Sequence, residues 1–139
     1  MSQTSPPIKP RSKFDTGLGT RKGVVGEHYV NEALARGSSE FAFPMQELVT
    51  EWCWGNIWNC PSLDRKQRSL LNLGMLIALK SWPEVGVHIR GAINNEIRES
   101  ILQSAVYCGV PAGLEAMKVA TAVIDGMVAK GEHVRQLVG

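Results

Sequence analysis

Residues 69–79 read SLLNLGMLIAL, a stretch apolar nearly all the way round a helical wheel. A surface helix keeps one polar face, so a helix without one has to be covered on every side. Asn72 and Gly74 interrupt the run, and it is far too short to cross a bilayer. The cover must come from other helices of the chain or from a second subunit. Helices are therefore the elements to look for on either side.

Working upstream, Ser62 can cap this helix after Pro61, with Asp64 in a first turn that favours negative charge. Another helix is expected from about Pro44 to Ile57, where the missing N–H of Pro44 costs least in the first turn. Met45, Leu48, Val49 and Trp52 form its core stripe, and Glu47, Glu51, Trp54 and Trp58 line a second face. A short helix should run from about Glu27 to Ala35 and end at Gly37. The segment Asp15 to Gly26 carries four glycines and reads as irregular. Downstream, helices are expected around Trp82–Asn94, from Glu96 to Cys108, and from Pro111 to Lys130. The last has Leu114, Met117, Thr121, Ile124 and Val128 at helical spacing. No segment alternates as a strand does, so the expected fold is all-α with about six helices.

A length of 139 residues at 44% hydrophobic content suits one core, here residues 14–139. Residues 1–13 (MSQTSPPIKPRSK) are rich in Ser, Pro and basic residues and read as a loose arm. A net charge of +2 without a basic stripe argues against nucleic acid. Near the start, nothing resembles the apolar core of a signal peptide, so a soluble, cytoplasmic protein with no membrane partner is expected. Cys53, Cys60 and Cys108 are odd in number and have no close pair, which argues against a disulfide framework. Cys53 and Cys60 also lack metal-ligand spacing with any histidine, so no metal is expected.

His88 falls on the stripe formed by Val85, Ile89 and Ala92. A histidine there must find a hydrogen-bond partner, and burial favours its neutral form. Two readings are open: a satisfied core histidine, or a pocket residue in the company of Arg90, the upstream tryptophans and the segment Tyr107-Cys108-Gly109-Val110-Pro111.

Four stretches, QELVTEWCWGNIW (46–58), LDRKQRSLLNLGMLIALK (63–80), VHIRGAINN (87–95) and EIRESILQSAVYCGVPAG (96–113), together resemble the carboxymuconolactone decarboxylases. The opening FDTGLGTRKGVVGE (14–27) is similar to that family's first segment. The resemblance implies an alkylhydroperoxidase-like helical subunit that assembles as a homotrimer or homohexamer. It departs from the family after Asn94-Asn95, where a Gly-Val-Thr-like turn is missing. His28 stands one position away from a histidine the family often carries, which makes it a minor site candidate. Peroxidase relatives use a Cys-x-x-Cys pair ahead of the histidine. The corresponding positions here are Ser81 and Glu84, so a disulfide cycle cannot run.

The substrate implied by the resemblance is 4-carboxymuconolactone, which loses CO2 to give 3-oxoadipate enol-lactone. The electrons left behind flow through the ring double bond into the lactone carbonyl, so no cofactor is required. An enzyme must clamp the remaining carboxylate, stabilise the developing oxyanion and deliver a proton. Arg68 or Arg90 suits the clamp through a bidentate fork. His88 suits oxyanion stabilisation or proton delivery, with Glu47 orienting it or acting as the acid. Trp54 and Trp58 would supply a low-dielectric wall, and Tyr107 and Cys108 would line the pocket, Cys108 as a small buried residue. A diverged member acting on another small carboxylated or polyketide-like intermediate, and a non-catalytic oligomeric binding protein, are the alternatives.

Overall fold

The computed structural model describes residues 12–92 and 95–134. It contains α1 (Lys13–Val25), α2 (Glu27–Arg36), α3 (Phe43–Leu48), a π-helical segment (Val49–Asn56) and a short 3-10 turn (Ile57–Asn59). These are followed by α4 (Arg65–Ala78), α5 (Trp82–Ile89), a 3-10 turn (Arg90–Ala92), α6 (Asn95–Cys108) and α7 (Val110–Ala129). Every regular element among the described residues is helical, as the sequence leads one to expect. The arm's residues 1–11, and Asn94, lie outside the description. Contacts divide the chain into two compact units, Met1–Gly23 with Glu27–Cys60, and Val24–Gly26 with Pro61–Gly139.

In the N-terminal unit, α1 occupies the segment expected to be irregular. Glycine in a helix costs about 1 kcal/mol relative to alanine, but here close packing overrides propensity. A Cβ on Gly17 would lie 1.9 Å from the Thr50 carbonyl oxygen, and one on Gly55 would lie 2.5 Å from that of Lys13. Glycine is what lets the two backbones touch. Side chains lock the contact: Thr20 Oγ1 donates to Asn59 Oδ1 at 3.0 Å. Asn59 Nδ2 in turn donates to the Trp54 and Gly55 carbonyls at 2.8 and 3.1 Å.

The helix expected over 44–57 changes type at Val49, where hydrogen bonds begin to span five residues instead of four. The wider turn rotates the inward face. Thr50, Trp54 and Gly55 are buried there, whereas Met45, Leu48 and Trp52 of the expected core stripe are exposed and Val49 is half-buried. The tryptophan face is the inner one.

In the C-terminal unit, α4 is capped by Asp64 rather than Ser62. Asp64 Oδ1 accepts from the Gln67 N–H at 2.7 Å, and Gln67 Oε1 accepts from the Asp64 N–H at 2.9 Å. This reciprocal box satisfies two donors at once, which a serine placed before the first turn could not do. The core joins Leu73 and Ile77 of α4, Val85 and Ile89 of α5, Ile97 and Ile101 of α6, and Ala112, Ala116 and Ala120 of α7.

The fully buried part of α7 in this core is made of small residues, with Met117 packed against it, rather than of the series Leu114, Met117, Thr121, Ile124 and Val128. Leu114 and Thr121 are exposed, and the other three are half-buried. A Cβ on Gly113 would fall 2.4 Å from that of Ala105, so α6 and α7 approach too closely for bulky side chains between them. On α4 only one stripe is covered. Leu71, Met75 and Leu79 are left 54%, 48% and 75% exposed. Among the described residues no helix is long and apolar enough to cross a membrane.

Candidate active site

His88 lies in the last turn of α5, a helix opened by Pro83 in its first turn, with Val85 and Ile89 buried beside it. It is 8% exposed. Burial lowers its pKa below the ordinary 6.5, while Glu84, one turn earlier, pulls it back up. The imidazole is therefore neutral at pH 7, able to donate one N–H. Ser81 Oγ donates to Glu84 Oε2 at 2.7 Å, so the two positions where peroxidase relatives would carry thiols are joined by a hydrogen bond.

The remaining expected residues of this unit are placed differently. Arg90, exposed at the start of the 3-10 turn, faces Glu132 at 3.7 Å. Arg68 is half-buried on α4. Tyr107 and Cys108, at the end of α6, line a cavity of about 590 Å³ together with Leu70, Leu71 and Met75 of α4. Cys108 is exposed rather than buried, because α6 ends there and Gly109 turns the chain away with φ 99°. Ser100, Gln103 and Ser104 are the other polar side chains of that lining, and it has no charged group. Such a wall suits an apolar occupant better than a carboxylate.

In the N-terminal unit, Trp54 and Trp58 are buried and stacked, with ring centroids 4.6 Å apart and planes at 30°. The π-helical register makes this possible by turning both indoles inward. Glu47 is exposed on α3. His28 is a surface residue, 3.2 Å from Glu32 Oε1. Cys53 and Cys60 are free and exposed. No group of three or more His, Cys, Asp or Glu among the described residues could hold a metal ion.

One residue escaped the sequence reading. Arg21 on α1 is only 6% exposed. Its Nη1 donates to Gln46 Oε1 at 2.9 Å and to Thr50 Oγ1 at 3.3 Å. Burial lowers its pKa, and the nearby Tyr29 and Cys53 act in the opposite direction. A guanidinium nonetheless stays charged in a protein. The signal was hidden because Arg21 stands among glycines that read as loop. Only the glycine contacts that bring α1 against the π-helical segment bury it.

The sequence pattern of the Carboxymuconolactone decarboxylase family matches residues 44–122, which span α3 to α7 and include His88. This chain belongs to that family. The decarboxylase is 54% identical over 130 residues, 90% of each chain, to the nitrosuccinic acid decarboxylase of Metarhizium robertsii. It is 33% identical over 134 residues to the 4-carboxymuconolactone decarboxylase of Acinetobacter baylyi, covering 93% of this chain and 99% of that one. Both relatives are decarboxylases, and this family member is a carboxy-lyase. The non-catalytic reading falls away.

Proposed function

We propose that this enzyme removes CO2 from nitrosuccinate, a small nitro-dicarboxylic acid, without a cofactor. The observation that carries the reading is 54% identity across nine-tenths of both chains to a nitrosuccinic acid decarboxylase. The chemistry follows the same logic as the lactone. When the bond from C2 to its carboxylate breaks, the electron pair passes into the adjacent nitro group as a nitronate. A proton added at C2 then gives 3-nitropropanoate and CO2. The nitro group is the electron sink, so no added cofactor is required.

A second reading, decarboxylation of 4-carboxymuconolactone, is supported by the relative matched over 99% of its length. Both substrates put the leaving carboxylate next to an internal sink and keep one carboxylate. His88 takes the oxyanion role: a neutral N–H donates to the developing negative oxygen, which fits a histidine whose protonation burial opposes. The stacked Trp54 and Trp58 supply the low-dielectric wall. Glu47, exposed on α3, is the candidate proton donor.

The test is CO2 release from each compound by the purified enzyme, with and without a chelator. Turnover of nitrosuccinate that exceeds that of the lactone and is unchanged by chelation is expected. An enzyme inert towards nitrosuccinate but active on the lactone transfers the assignment to the second reading.

The exposed Leu71, Met75 and Leu79, beside a cavity with no charged side chain, support assembly as a homotrimer or homohexamer. Met75→Glu places a charge on that face and should dissociate the oligomer in light scattering. A wild-type protein that is monomeric at micromolar concentration overturns the assembly.

A further inference from the structure

We propose that Arg21 binds the carboxylate that the substrate retains. The inference rests on the reading above only in taking the substrate to be a small dicarboxylic acid that loses one of its two carboxylates. Arg36, Arg90 and Arg98 each face a carboxylate, yet all three are exposed to solvent. Arg21 shows the opposite arrangement. It is buried, and among the described residues no carboxylate lies within ion-pair distance of it. A guanidinium taken out of water is costly unless an anion or a full set of hydrogen bonds compensates it. Gln46 and Thr50 offer only neutral oxygens, and both contact the same nitrogen, Nη1.

Among the described residues, the edge formed by Nε and Nη2 makes no hydrogen bond. Two parallel N–H groups along that edge match the two oxygens of a carboxylate. The edge is also fixed in place. Thr50 Oγ1 donates to the Gln46 carbonyl at 2.6 Å, which holds one of the acceptors that orients Nη1. The close approach of Gly17 to the Thr50 carbonyl holds α1 itself. A charged fork that is oriented, carried on a side chain only 6% exposed and without a carboxylate partner among the described residues, has the features of a preorganised anion site. Its location in the N-terminal unit adds a third arginine to Arg68 and Arg90.

The test uses the full chain with Arg21→Lys, which keeps the charge but loses the fork, and Arg21→Gln, which loses both. Succinate serves as a dicarboxylate probe that cannot be decarboxylated, and its binding is measured by calorimetry beside KM, kcat and melting temperature. Wild type should bind succinate. Both variants should bind it roughly 10- to 100-fold more weakly and show a similar rise in KM, with kcat less affected. If Arg21→Gln fails to fold, Arg21→Lys decides alone. A folded Arg21→Lys with wild-type KM and succinate affinity overturns the proposal, as does a wild type that binds no succinate. Arg21-dependent succinate binding by an enzyme inert towards nitrosuccinate would keep the site and remove the nitrosuccinate reading. An active enzyme indifferent to Arg21→Lys would do the reverse.

Discussion

His88→Ala should lower turnover roughly 10²- to 10⁴-fold, with the oligomer and its melting temperature staying near wild type. The expectation follows from the oxyanion role proposed above for a buried imidazole whose protonation burial opposes. A histidine that serves only the core would behave differently. Its loss would cost roughly 1–4 kcal/mol through a cavity and a lost hydrogen bond, and residual activity would track the folded fraction. Comparing turnover at matched folded concentration separates the two. A folded variant with near-normal turnover would remove His88 from the chemistry.

The same residue gives stability a pH dependence of definite sign. Because the folded pKa lies below 6.5, the unfolded chain binds a proton in that range more readily than the folded one. His88 therefore disfavours the folded state as pH falls through 6.5 towards the folded value, and ceases to matter above it. Melting curves of His88→Ala should lose that part of the acid slope.

Gly17→Ala should destabilise the chain by at least the roughly 1–3 kcal/mol typical of overpacking. The added carbon would sit 1.9 Å from the Thr50 carbonyl oxygen, and a backbone atom cannot swing aside as a flexible side chain can. Two residues along the same helix, Gly19 has nothing within 4 Å of the corresponding position. Gly19→Ala should therefore stabilise by about 0.4–1 kcal/mol through helix propensity and reduced freedom of the unfolded chain. At about 4 °C per kcal/mol for a chain of this size, thermal melting resolves both shifts. If the two alanines shift the melting point in the same direction, the packing of α1 against the π-helical segment is not what the glycine serves.

The contrast between Gly17 and Gly19 also shows where sequence reading reached its limit. Helical class was legible because apolar residues recur at helical spacing from Leu70 to Leu79 and no strand pattern competes. His88 was legible because it stands out against Val85 and Ile89, which are buried with it. By contrast, α1 was hidden because the four glycines of residues 15–26 signal a loop when each is judged alone, and the close approach of Gly17 to the Thr50 backbone cannot be read from the sequence. The face that α7 turns to the core was not legible from spacing alone, because the close approach of Gly113 to Ala105 admits only small residues at that point. The cap at Asp64 was missed by two residues because the serine after Pro61 seemed sufficient. Arg21 was missed with its helix.

The π-helical segment from Val49 to Asn56 has a consequence for the spatial order of side chains beyond its own length. Each residue of an ordinary helix advances the direction of its side chain by about 100°. A wider turn acts like one surplus residue wound into the rod, so everything after it is out of phase with everything before it. Phe43 to Leu48 keep the phase set by Pro44, while Trp54 and Trp58 obey a second phase set after the change. Removing one residue between Thr50 and Gly55 would let the rod close into a uniform helix. The paired indoles would keep their direction, with their sequence spacing from the residues before Val49 shortened by one. The spacing of these aromatic residues thus depends on a winding number as much as on their identities.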